Sequence, residues 1–99
     1  MTTIRLSGKF LPAVLEGRKV STIRRGRRMY PLGNAVLRTA DREVTIRIER
    51  VRHSLLHNLT EEDALRDGFD NLKDLLTALD RFYPELSPED EVTIVEFRR

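Results

Sequence analysis

The stretch Leu15-Glu16-Gly17-Arg18-Lys19-Val20-Ser21-Thr22-Ile23-Arg24-Arg25 reads as a helix end, a glycine stop and a short extended segment. Gly17 suits the left-handed residue that closes a helix, because it has no Cβ to clash there. In the extended segment Lys19, Ser21 and Ile23 point to one side, and Thr22 and Arg24 to the other. Apolar residues are few, so the expectation is an exposed strand rather than a buried one. A dense set of donors on an exposed turn suits an anion or a nucleotide.

Upstream, Lys9 to Glu16 is a predicted helix with Phe10, Val14 and either Leu11 or Leu15 on its apolar stripe. Pro12 falls within the first turn, where its missing N–H has no partner to lose. Before it, Thr3 to Leu6 is a short strand. Downstream, Arg18, Lys19, Arg24, Arg25, Arg27 and Arg28 crowd into residues 18–28. Arginine makes bidentate contacts with phosphate and stacks on bases; the plainer alternative is a solvated basic loop. Met29 to Asn34 is a turn. Ala35 to Thr39 and Glu43 to Val51 form a predicted hairpin, because Val44, Ile46 and Ile48 alternate with polar residues. The period of two fails after Ile48, and a bulge near Glu49-Arg50 would restore it and bend the sheet.

The segment Gly17-Arg18-Lys19-Val20-Ser21-Thr22-Ile23-Arg24 resembles the G-x-K-x-x-T-x-R signature of the ASCH domain family. The later Asp67-Gly68-Phe69 and the closing Val92-Thr93-Ile94-Val95-Glu96-Phe97 strengthen the likeness, which extends over nearly the whole chain. It implies a PUA-like fold: an α+β domain with a mostly antiparallel β-barrel of five or six strands and two to three flanking helices. The family includes nucleic-acid-binding modules and small hydrolases. Family members carry Pro-Gly-Asp where this chain has Leu32-Gly33-Asn34.

Ninety-nine residues suit a single domain, 1–99, with one core. Without cysteine there is no disulfide, thiolate metal site or cysteine nucleophile, and a reducing cytoplasm is the simplest setting. No apolar run reaches the roughly 18 residues of a membrane span, and no signal-peptide core is visible. The formal net charge is only +2, but it is unevenly spread. Residues 1–57 carry 13 Lys and Arg against 4 Asp and Glu; residues 58–91 carry 3 against 11. Such asymmetry predicts one cationic surface able to steer polyanions, or two halves that pair across the fold.

Further along, Thr60 is the expected N-cap of a helix over 60–67, with Leu59 stapled onto Ala64. A second helix over 71–83 places Leu72, Leu75, Leu76, Leu79, Phe82 and Tyr83 on one stripe, read as core packing. Pro84 ends it. Val92 to Phe97 has apolar residues on both faces, as a central or barrel-closing strand does. His53 and His57 lie four apart, but a strand exit between them argues against a metal site.

Two functions follow. The first is an RNA-binding domain of ASCH type, with Arg18, Lys19, Arg24, Arg25, Arg27 and Arg28 holding phosphates and Tyr30 stacking on a base. The alternative is a hydrolase. The resemblance extends to small amidohydrolases that deacetylate N4-acetylcytidine with a lysine, a threonine and a glutamate. It places these roles on Lys19, Thr22 and, with an aspartate for the glutamate, Asp67. A threonine needs a base to become a nucleophile, and a lysine serves only if its pKa falls through burial or cationic neighbours. Backbone N–H groups near Gly17 are the expected oxyanion donors. Neither reading calls for a metal or another cofactor. The expected partner is RNA or a nucleoside, with no membrane.

Overall fold

The computed structural model describes all 99 residues. Five strands form one half-barrel sheet: β1 (Thr2–Arg5), β2 (Ser21–Arg25), β3 (Gly33–Arg38), β4 (Glu43–Leu55) and β5 (Glu91–Arg98). Their order across the sheet is β1-β3-β4-β5-β2. β1 pairs with β3 in parallel, and every other pairing is antiparallel. Three helices flank the sheet: α1 (Leu11–Leu15), α2 (Glu61–Arg66) and α3 (Leu72–Phe82). This is the expected α+β, PUA-like arrangement, with a gap between β1 and β2 at the sheet's two edges.

The local signals explain most of the elements. Gly17 closes α1 at φ +82°, where a side chain would clash. The helix is shorter than expected, because residues Gly8–Phe10 form a 3-10 turn ahead of it. β4 runs four residues past Val51. Its register against β5 shifts between Ile48 and Arg50, and the bulge keeps the pairing going to Leu55 opposite Glu91. Asn71 caps α3 by accepting from the Asp74 N–H at 2.8 Å.

The core has two parts. Ile4, Leu37, Ile46, Ile48, Val95 and Phe97 pack inside the half-barrel with Leu11 and Val14 of α1. Ile23, Val92 and Ile94 pack on the other side against Leu59, Ala64, Leu75 and Leu79. β5 therefore contributes to both parts, which explains its unbroken apolar run. The α3 stripe is core only in part: Leu75 and Leu79 are buried, whereas Phe82 is 50% exposed.

Charged residues from the two halves of the chain meet beneath α2. Arg52 on β4 donates to Asp63 at 2.7 Å and to Glu96 at 2.6 Å. Asp63 also completes a capping box, accepting from the Thr60 N–H at 3.0 Å while its own N–H donates to the Thr60 hydroxyl at 3.1 Å. Burial alone would raise the Asp63 carboxyl, but the bonds from Arg52 and Thr60 outweigh it and hold the group below its ordinary 3.8. A depressed acid stabilises the fold fully above that value and loses the contribution as pH falls through the folded pKa. Asp63→Asn should therefore cost about 2 kcal/mol at pH 7. The gap from wild type in urea melts should close below pH 3.8. A gap that stays constant with pH would refute the assignment.

Candidate functional site

Lys19 lies two residues before β2 and pairs as an isolated antiparallel bridge with Asp67, just after α2. The bridge brings two distant backbones together, so a short aspartate side chain reaches the lysine. Lys19 Nζ is 3.1 Å from Asp67 Oδ2 and donates to the Asp67 carbonyl at 3.0 Å. Ser21 Oγ donates to Asp67 Oδ1 at 2.9 Å. The pair is enclosed, with side chains only 3% and 6% exposed. Gly68 makes the approach possible. Its φ is +92°, and a Cβ there would sit 3.1 Å from Lys19 Cβ.

β2 departs from its expected exposure. Ser21, Thr22 and Ile23 are all buried, at 1%, 2% and 4% exposed. Its scarcity of apolar residues is offset by polar partners, and no buried side-chain nitrogen or oxygen lacks a hydrogen bond. Ile23 packs under α3, and Ser21 meets Asp67. Arg24 extends to the opposite edge of the half-barrel. One nitrogen donates to Thr22 Oγ1 at 2.6 Å, and another donates to the Arg5 carbonyl at the end of β1. A side chain thus spans the gap that no strand ladder closes.

A cavity of about 230 Å³ lies beside this gap. Lys19, Thr22, Arg24 and Asp67 form its polar side, and Phe10, Phe69, Phe82 and Tyr83 are among its apolar walls. The Phe10 ring centroid is 6.0 Å from those of both Phe69 and Phe82. Lys19 Nζ stands 5.3 Å from the Phe10 centroid. Rings around a polar wall suit a flat heteroaromatic group that also hydrogen-bonds.

The electrostatics push both members of the buried pair toward neutrality. Burial lowers the Lys19 ammonium against the attraction of Asp67, and Arg24 lowers it further. Burial raises the Asp67 carboxyl against Lys19 and Ser21. Burial thus works against the charge on both members, the direction in which a catalytic base and acid are tuned.

Of the residues expected to act in catalysis, Lys19, Thr22 and Asp67 meet at one cavity. The residues expected to hold RNA separate. Arg24 turns inward to Thr22, Arg18 pairs with Glu16 at 2.7 Å and Arg27 with Glu91 at 2.9 Å. Arg25 and Arg28 are exposed. Tyr30 packs against the half-barrel core. The N–H groups near Gly17 are not oxyanion donors: those of Arg18 and Lys19 both donate to the Ala13 carbonyl, and that of Gly17 to Val14. Helix closure consumes them. His53 and His57 take separate partners, the Arg28 carbonyl at 2.9 Å and Glu89 at 3.9 Å. Sequence reading missed Ser21 and the aromatic wall. The only signal for Ser21 was its placement on the Lys19 side of the strand.

No family model matches the chain, and no curated protein matches it. Solved structures do. An ASCH domain from Lactobacillus crispatus superposes with a TM-score of 0.78 at 18% identity, covering 88% of this chain and 67% of its own. A protein of Enterococcus faecalis gives 0.78 at 16% identity, covering 91% and 66%. A mutant ASCH protein from Zymomonas mobilis gives 0.69 at 18% identity, covering 98% and 68%. The chain thus has the fold of ASCH domains and spans about two thirds of the length of these relatives. No helix is long and apolar enough to cross a membrane.

Proposed function

We propose that this ASCH-fold domain is a small amidohydrolase that removes the acyl group from an N4-acylated cytidine nucleoside. One observation carries the reading: Lys19, Thr22 and Asp67 line a single cavity walled by aromatic rings. The resemblance of Gly17–Arg24 to the signature associated with acetylcytidine hydrolases suggests the substrate class.

In this mechanism the neutral Lys19 amine takes the Thr22 hydroxyl proton as Oγ1 attacks the acyl carbonyl. Arg24, already donating to Oγ1 at 2.6 Å, is the cation beside the developing negative charge. Collapse of the tetrahedral intermediate breaks the C–N bond, and the leaving amine takes the proton from Lys19. The acyl group now sits on Thr22 as an ester. Water adds to that ester, passing a proton through Lys19 back to Thr22, and the acid leaves. Asp67 holds Lys19 in place and shares its proton throughout.

The test is turnover of N4-acetylcytidine, followed as cytidine release. Wild type should be active, and Thr22→Ser should retain activity because it keeps a hydroxyl. Thr22→Val, which keeps the shape, should lose at least about 100-fold. Full activity in Thr22→Val, or none in wild type, would sink the mechanism.

RNA binding is the second reading, and it rests on Arg25 and Arg28, both exposed and free of carboxylate partners. It requires an affinity that falls steeply with salt and a flatter slope in Arg25→Ala/Arg28→Ala.

A further inference from the structure

A second hollow lies against the aromatic wall of the cavity. Phe10, Phe69 and Phe82 line both spaces. The outer hollow adds Lys9, Arg81 and Asp74 to these rings. Lys9 Nζ stands 5.2 Å from the Phe10 centroid and 5.6 Å from that of Phe82. Lys19 Nζ stands 5.3 Å from the same Phe10 centroid, so one ring connects the buried ammonium to the exposed one.

Neither outer cation has a carboxylate partner, and Lys9 rests over two rings. Nine ion pairs join lysine or arginine side chains to carboxylates in this molecule, and neither Lys9 nor Arg81 takes part in any. Residues 58–91 carry 11 acids and only 3 bases, and one of those bases faces this hollow. Asp74 leaves the lining with a net charge of +1. A lysine over the rings and an arginine fork beside a stacking surface match a phosphate attached to a base-bearing sugar.

We propose that the outer hollow is a phosphate subsite and that the preferred ligand is a nucleoside monophosphate rather than a bare nucleoside. The base enters the inner cavity, and Lys9 and Arg81 take the phosphate across the rim formed by Phe10 and Phe82. This deepens the hydrolase reading and rests on the same cavity, but it concerns binding and not the chemical step.

The experiment measures binding of cytidine and of cytidine 5′-monophosphate by titration calorimetry in low salt. Wild type should bind the monophosphate about tenfold more tightly, and the preference should shrink as ionic strength rises. Lys9→Glu/Arg81→Glu should bring the affinity ratio to one or below. Both residues are exposed, so the variant should fold; a thermal melt verifies this. Equal affinities in wild type, undetectable binding of both ligands, or a preference that survives the double variant would overturn the subsite. Turnover is read separately. A nucleotide preference without hydrolysis would leave the subsite standing and remove the hydrolase reading alone.

Discussion

Lys19→Met should destabilise the domain by about 3–5 kcal/mol, a fall in Tm on the order of 20 °C. The reason is the isolation of Asp67. With Lys19 gone, a carboxylate 5% exposed keeps only the Ser21 hydroxyl and the more distant Arg24 charge. Desolvation then has no adjacent charge to offset it. Small domains hold only about 5–15 kcal/mol in total, so this one change consumes much of the reserve. Two controls separate the charge from the lost packing. Lys19→Met/Asp67→Asn removes both charges and should recover more than half of the loss, giving a large coupling in a double-mutant cycle.

The second control is pH. Burial already raises the Asp67 carboxyl above 3.8, and losing Lys19 removes its main opposing influence. An acid raised in the folded state binds more protons there than in the unfolded chain. Its stabilising contribution is therefore present at low pH and lost as pH rises through the raised value. The deficit of Lys19→Met should accordingly narrow on acidification towards 3.8. A variant within about 1 kcal/mol of wild type at pH 8 would show that the pair contributes little to the fold.

Leu75→Ala should cost about 2–5 kcal/mol, and Leu76→Ala only about 1–2. Both are leucines on one helical stripe, but their surroundings differ. Leu75 is 1% exposed and belongs to the cluster of Ile23, Val92 and Ile94. Leu76 is partly buried and borders an open hollow, where water can fill the space left by truncation. Leu75 also lines the inner cavity. Its truncation should enlarge that space and loosen the seat of the ligand, raising KM for any substrate bound there. Chemical denaturation of both variants gives the comparison, and equal costs would mean that α3 is seated in some other rotation.

Much of the fold is legible locally because its signals are local. The helix ends are examples: Gly17, Thr60 and Asn71 act on backbone groups within a few residues. The β4 bulge shows in the broken period after Ile48, and the α3 stripe in the spacing of its leucines. These readings need no partner to be named. They are least accurate at element ends, as where the 3-10 turn at Gly8–Phe10 replaces the expected start of α1.

The site needed tertiary structure. The expectation of an exposed β2 failed because apolar content measures burial only when polar groups stay wet. Here Ser21 and Thr22 are enclosed with partners, Asp67 from 46 residues away and Arg24 from two. The same contrast divides the arginine cluster. Six basic residues read alike in one dimension, but neighbouring carboxylates and the open edge of the half-barrel give them different directions. Sequence alone determined that Lys19 and Thr22 share one short segment, because only Val20 and Ser21 separate them. The family resemblance put Asp67 with them, but spacing could not show that Asp67 meets Lys19, or that Phe10, Phe69 and Phe82 make one wall. Those positions lie on separate segments, and only the packing of α1, α2 and α3 against one sheet edge brings them together.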